Sequence, residues 1–193
     1  MEKKVLCFLA DGFEEVEAVT PIDYLRRTGI AVTIAAIGTE TTVTGSHGIS
    51  IKADTTIKSL ENEGIFNPES WDGVFVPGGM PGASNLALCA PAGNFFKEMV
   101  QKGKITGAIC ASPAVFLSPL GLLEGKKFTS YPGMEKKAVG GTHLVEPVVI
   151  DGNLVTSRGP GTAHYFALAL IELLAGKDKA QEITKNALLE LHD

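Results

Sequence analysis

The chain is poor in cysteine. Three thiols, Cys7, Cys89 and Cys110, are spread over 193 residues, an odd number with no CxxC spacing. That excludes a disulfide framework and a cysteine-rich zinc module, and a chain of this length can bury a core without such staples, so the thiols are expected to be reduced. Basic stretches are equally absent. Lys and Arg number 17 against 22 Asp and Glu, for a net charge of −5, and they are scattered. No basic stripe is present to meet nucleic acid or an anionic membrane surface, and neither is expected as a partner. Nor is there an apolar run of membrane-spanning length. The apolar stretch near the N-terminus, Val5–Ala10, is too short for a signal-peptide core and is followed at once by Asp11, so the cytoplasm is the expected location. Neither GxGxxG nor GxxxxGK[S/T] occurs, which removes the usual nucleotide-phosphate loops. Internal repeats, low-complexity tracts and linkers are missing too. What remains, 45% hydrophobic and 20% charged residues, is the composition of one globular domain over residues 1–193.

The apolar pattern alternates between strand and helix periods. Val5–Ala10, Ala31–Ile37, Gly73–Val76 and Ile105–Ile109 are short apolar runs, the pattern of strands buried on both faces. Glu14–Arg27 carries Val16, Val19, Ile22 and Leu25 at near-helical spacing, with Gly29 just past its end. Asn94–Lys102, Thr162–Ala175 and Lys177–Leu191 also read as helices. A further helix is expected to start after Cys110, with Ser112 as its cap and Pro113 in its first turn. Val43-Thr44 and Ile49–Ala53 read as a small hairpin across Gly45–Gly48, and Val145–Asp151 pairs with Leu154–Ser157 across Asp151-Gly152-Asn153. Phe128–Tyr131 is a weaker strand and Asn62–Ser70 a surface loop. Strands alternating with helices predict an α/β fold with a mostly parallel sheet covered on both faces, whose ligands bind beyond the carboxyl ends of the strands. Asp11-Gly12, Pro77-Gly78-Gly79 and Cys110 each follow an apolar strand, and parallel neighbours would bring all three to one edge.

Cys110 is the candidate nucleophile. It stands between the Ile105–Ile109 strand and a helix start, whose amides favour an anion and lower a thiol's pKa. The competing reading is an inert, packed thiol, since free cysteine is among the most buried residue types. Glu14, Glu15 and Glu17 crowd one helix start. Favourable helix-end electrostatics accounts for Glu14 and Glu15. Glu17 lies among Val16, Ala18 and Val19, and a carboxyl drawn into a pocket there would be held protonated and able to donate a proton. Pro77–Gly82 is richer in glycine than one turn needs; it reads either as a loop offering backbone N–H groups to a developing oxyanion or as a strained turn with no ligand. Of the histidines, His143, after Gly140-Gly141-Thr142, is the best placed to reach a cysteine in space; His164 falls at a helix start and His192 in the tail. Cys7 and Cys89 read as packing residues. Arg158, ahead of the rigid Gly159-Pro160-Gly161 turn, reads as a surface or interface cation in preference to an anion ligand.

Four segments in this order, Ala10–Glu17, Val76–Gly79, Ala108–Ala111 and Thr156–Thr162, resemble the ThiJ/PfpI superfamily, and within it the branch of the parkinsonism-associated protein deglycase and its bacterial relatives. The resemblance covers nearly the whole chain. It implies a class I glutamine amidotransferase-like domain with a flavodoxin-like three-layer sandwich, and a homodimer. It implies the family nucleophile at Cys110, the family's protonated glutamate at Glu17, an anion pocket at Gly78, Gly79 and Ala111, a histidine at His143, and interface positions at Arg27 and Pro160. Ala111 stands where protease-like and amidase-like members carry His, which argues against a protease, and His47 stands where some relatives carry an anion-binding arginine. The implied function is a cysteine-dependent enzyme, free of metal and cofactor, acting on small reactive 2-oxoaldehydes such as methylglyoxal or on their glycation adducts. A redox sensor or stress chaperone switched by oxidation of Cys110 would use the same groups. A thiamine-precursor (thiazole monophosphate) role ranks last, because the chain has no dedicated phosphate loop.

Overall fold

The computed structural model describes residues 2–189. Its elements, in chain order, are β1 (Lys4–Leu9), α1 (Glu15–Arg27), β2 (Ala31–Ala36), β3 (Thr42–Thr44), β4 (Ser50–Lys52), β5 (Thr55–Thr56), α2 (Ile57–Asn62), β6 (Gly73–Val76), α3 (Gly82–Leu88), α4 (Ala90–Gln101), β7 (Ile105–Ile109), β8 (Lys127–Phe128), β9 (Thr142–His143), β10 (Val148–Asp151), β11 (Leu154–Ser157), α5 (Ala163–Ala175) and α6 (Lys177–Asn186). Seven strands form one sheet in the order β10-β11-β7-β6-β1-β2-β5. Every pairing in it is parallel except β10 with β11, which run antiparallel across the Gly152 turn.

Period-two alternation along buried strands assigns each side chain to one of two cores. In β1, Val5, Cys7 and Leu9 face a core shared with Ala18, Ile22 and Leu25 of α1 and Phe166, Leu170 and Ile171 of α5. Leu6 and Phe8 face the other core, with Leu60 of α2, Leu86 of α3, and Phe95, Phe96 and Met99 of α4. The result is the expected α/β sandwich, helices on both faces of a mostly parallel sheet. The β3–β4 hairpin stands apart as a separate antiparallel pair.

Parallel order also brings the carboxyl ends of β11, β7, β6 and β1 side by side on one edge. Their outgoing loops begin at Arg158, Cys110, Pro77 and Ala10, so the loops singled out in the sequence do meet.

Some boundaries differ from expectation. Ser112 does not cap a helix: its own backbone is already helical, and the segment after it is a single π-type turn, Pro113–Leu117. The Asn62–Ser70 stretch is more ordered than a loop. It starts at the end of α2 and closes with a 3-10 turn, Pro68–Ser70, capped by Asn67, while the Trp71 indole donates to Ile65 O. Gly82–Leu88 is helical although its glycine-rich lead-in masks the period, and α4 starts at Ala90 with Pro91 in its first turn. The Phe128–Tyr131 strand shrinks to Lys127–Phe128, and Val145–Asp151 begins pairing at Val148, one residue past Pro147, which has no N–H to offer a ladder. Leu191 and His192 lie outside the described residues.

Gly107 marks the tightest point between sheet and helix. A Cβ there would sit 2.8 Å from Phe166 Cζ and 3.1 Å from Phe75 Cβ, beneath an edge-on Phe75–Phe166 contact with centroids 6.0 Å apart. Gly107→Ala is therefore expected to overpack this face and destabilise the fold by about 1–3 kcal/mol. Calorimetry checks it, with Phe166→Leu in the same chain expected to recover part of the loss; an unaltered melting temperature in Gly107→Ala would contradict the packing argument.

Candidate active site

Cys110 is the first residue beyond β7, and its φ of 66° lies in the left-handed region that side-chain-bearing residues avoid. Such a conformation is worth roughly 1–3 kcal/mol of strain and persists only where neighbours over-determine it. Here its N–H donates to Ser157 O at 2.9 Å and its carbonyl accepts from Tyr131 N at 2.8 Å. The next turn is tied down by Ser112 Oγ, which donates to Pro77 O at 2.6 Å. This tie replaces the helix cap expected of Ser112. The strand-to-turn reversal puts the thiol at the mouth of the sheet edge while leaving the residue only 9% exposed.

Two glycines let the loops close around it. A Cβ on Gly78 would lie 2.6 Å from Cys110 Cβ and 2.9 Å from Glu17 Oε2, so a side chain there would expel one or the other. Gly79 has φ +88°, and a Cβ on it would come within 2.5 Å of Gly12 O and Phe13 C. Glu14 N donates to Gly78 O at 3.0 Å and Gly82 N to Gly12 O at 3.1 Å, stitching the β6 loop to the start of α1.

Glu17 is fully buried on α1. Its Oε2 accepts from Gly78 N at 2.8 Å, and its Oε1 is buried with no formed hydrogen bond among the described residues. Burial pushes its pKa up to about 7, against the Gly78 N–H and the Cys110 thiol, which favour the carboxylate. The thiol and carboxyl affect each other's proton affinity although their contact falls short of formed hydrogen-bond geometry. For Cys110, burial first, then the Glu17 charge and the carboxyl's contact with the thiol, push the thiol up to about 12, while the Gly79 and Ala111 N–H groups pull it down. The sequence led us to expect a lowered thiol pKa at a helix start. Burial first, and then the ionised Glu17, reverse that. Protonating Glu17 removes the charge and turns the carboxyl into a donor toward sulfur, so that burial alone then opposes the Gly79 and Ala111 amides, which favour thiolate. The two groups are coupled, so the proton affinity of each depends on whether the other is charged.

The other acids divide. Glu14 Oε2 accepts from Glu17 N at 2.7 Å and caps α1. Glu15 does more than suit a helix end: it is buried and receives His47 N at 2.7 Å and His47 Nδ1 at 2.8 Å, pinning the β3–β4 hairpin to α1. These bonds hold its pKa below the usual carboxylate range in spite of burial. Glu14, Glu15 and His47 lie close enough to hold a metal ion, but their atoms already serve this cap and tie.

None of the remaining candidates is hydrogen-bonded to the thiol among the described residues. His143 sits in β9 with its ring edge-on to Phe128 at 5.4 Å, and its Nε2 is buried with no partner among the described residues. No hydrogen bond among those residues links it to Cys110. Arg27 is exposed and paired with Asp23 at 2.6 Å. Pro160 opens an exposed 3-10 turn, Pro160–Thr162. His164 is half-buried against Tyr165, its pKa lowered by burial. Cys7 is fully buried and its pKa is driven up, chiefly by burial, as suits a packing residue. Sequence reasoning missed Tyr131, which bonds to the Cys110 carbonyl; an aromatic beside Pro132-Gly133 carries no chemical signal of its own.

A model of the DJ-1/PfpI family matches residues 3–173. The chain belongs to the DJ-1/PfpI family. It is 39% identical to protein dj-1beta of Drosophila melanogaster, with 98% of each chain covered. It is 36% identical to a Caenorhabditis elegans relative named glutathione-independent glyoxalase DJR-1.2, with 95% of each covered. The solved structure of oxidized Toxoplasma gondii DJ-1 superposes with a TM-score of 0.90 at 39% identity, over 96% of this chain and 98% of that one. The chain spans less than half the length of the two Arabidopsis thaliana DJ-1 homologs it matches, 41% and 47%. These likenesses fix the flavodoxin-like α/β fold read from the sheet. Among the described residues no helix is long and apolar enough to cross a membrane.

Glu17 makes stability depend on pH. Its pKa is raised in the folded state from 4.5 to about 7, so its contribution is full below pH 4.5 and is lost as pH rises through about 7. Glu17→Gln cannot ionise, and its stability relative to wild type is expected to rise between pH 4.5 and 7 by on the order of 3 kcal/mol. Urea unfolding at pH 5 and pH 8 measures this, and a difference independent of pH would count against a raised Glu17 pKa.

Proposed function

We propose that the protein is a cysteine-dependent enzyme of the glyoxalase or deglycase type, acting on 2-oxoaldehydes or their adducts without a cofactor. The observation that carries this reading is the buried Glu17 carboxyl, held by Gly78 N–H against a thiol on a strained strand-to-turn elbow. The relative named as a glyoxalase supports it.

In this reading the pair starts as thiolate and carboxylic acid. Cys110 Sγ attacks the aldehyde carbon, and the oxygen that gains the electron pair is held by the Gly79 and Ala111 N–H groups and protonated to a hemithioacetal. Glu17, now a carboxylate, takes the proton from the former aldehyde carbon and returns one to the neighbouring carbon. The resulting 2-hydroxy thioester is hydrolysed by water, releasing a 2-hydroxy acid and restoring the thiol. Oxidation of one carbon is matched by reduction of its neighbour, so the balance needs only water. Acid–base help of this kind is worth about two to four powers of ten in rate.

A second reading has an observation behind it: the Toxoplasma relative was solved in an oxidized form. In that reading peroxide converts Cys110 to sulfenic and then sulfinic acid, with the same amides and Glu17 holding the oxidised sulfur.

For assembly we propose a homodimer. Val16 and Val19 are half exposed on α1 and share its outer stripe with Asp23 and Arg27, a face suited to a second copy. Val19→Glu is expected to shift sedimentation from dimer to monomer; a wild-type monomer would refute this assignment.

Purified reduced wild-type protein is expected to convert methylglyoxal to lactate, and Cys110→Ser and Glu17→Ala to lose at least a hundredfold in kcat. No lactate from the fully reduced protein would reject the enzyme reading. Mass spectrometry of Cys110 after peroxide, with a change in partner binding that tracks the oxidised fraction, would favour the sensor.

A further inference from the structure

Arg158 is placed beside the candidate site by the same hydrogen bond that positions the thiol. Cys110 N donates to Ser157 O, and Arg158 is the next residue. Its backbone is anchored by a 3.3 Å bond from its N–H to Pro147 O, and the side chain is half-buried. The chain has three arginines. Arg26 is engaged with Val32 O and Asp54, and Arg27 with Asp23. The Arg158 guanidinium takes part in no hydrogen bond or ion pair among the described residues.

It lines a cleft with Tyr131, Pro132, Gly159, Pro160 and Thr162, a wall without a single carboxylate. The cleft adjoins the reacting groups: a Cβ on Gly159 would lie 3.4 Å from the Tyr131 ring and 3.8 Å from Glu17 Oε1. The glycine is therefore the spacer between cleft and proton-transfer group, and the Tyr131 backbone is itself bonded to the Cys110 carbonyl. A half-buried guanidinium offers a planar fork of donors that matches a carboxylate in two places.

We propose that Arg158, in the cleft it shares with the Tyr131 ring, binds a carboxylate on the carbonyl substrate and so selects anionic 2-oxoaldehydes over neutral ones. This rests on the carbonyl-enzyme reading of Cys110 and Glu17. The reaction is unchanged: a 2-oxoaldehyde with a distal carboxylate takes up one water and leaves as a 2-hydroxy dicarboxylate.

The test compares kcat/KM for methylglyoxal and for 4,5-dioxopentanoate, a 2-oxoaldehyde with a terminal carboxylate, in wild type, Arg158→Gln and Arg158→Lys. Wild type is expected to prefer 4,5-dioxopentanoate. In Arg158→Gln that preference falls about 10- to 100-fold, the worth of a charge-assisted pair, mainly through KM, and Arg158→Lys recovers part of it. No wild-type preference, or a preference untouched by Arg158→Gln, overturns the proposal. Calorimetric titration of Cys110→Ser protein with 4-oxopentanoate, which keeps the carboxylate and lacks the aldehyde, separates the two readings. Binding lost on adding Arg158→Gln, with neither aldehyde turned over by wild type, retains the anion site and rejects the enzyme reading. Binding indifferent to Arg158 rejects the anion site.

Discussion

Gly78 donates its N–H to Glu17 at 2.8 Å from a backbone so close to Cys110 that a Cβ would lie 2.6 Å from the cysteine's own. That three-way approach sets the demands on everything around it. It needs β6 and β7 as parallel neighbours so that their loops leave together. It needs α1 packed on the sheet face so that Glu17 points at the edge, and it needs a residue without a side chain at position 78. A carboxyl buried among apolar groups is unfavourable in its charged form. One N–H donor and one thiol leave Glu17 undersupplied, and that undersupply is what lets burial raise its pKa to about 7.

Glu15 shows the alternative outcome two residues earlier. It too is buried on α1, but His47 supplies a backbone N–H and a ring nitrogen, and the result is a firmly ionised tether for the β3–β4 hairpin. The two acids share a helix turn and an intrinsic acidity, and the number of donors each receives decides which is structural and which titrates near neutrality.

The strain at Cys110 is carried by the core beneath it. The peptide on either side of the thiol is bonded to β11 and to Tyr131, and β7 itself is clamped between Phe75 and Phe166 on one face and Phe96 and Phe116 on the other. A packed interior of this kind resists local relaxation, so the elbow holds its geometry with no ligand needed to fix it.

The amino-acid sequence by itself determined the fold class, the two-faced burial of its strands and the meeting of the Asp11, Pro77 and Cys110 loops, because period and chain order are local properties that parallel topology converts directly into place. It also singled out Glu17, since an acid within an apolar helical stretch conflicts with its surroundings. Only the tertiary structure decided that Ser112 ties a loop instead of capping a helix, that Glu15 anchors the hairpin through His47, and that the thiol's proton affinity is raised by burial and then by its acid neighbour. His143 was legible only as a histidine after two glycines; its edge-on contact with Phe128 is set by the fold. Tyr131 and Arg158 were silent or discounted because an aromatic in a turn and a single arginine have no pattern. Their meaning comes from which groups the fold sets across Gly159, and contacts between residues far apart in the chain are decided by packing.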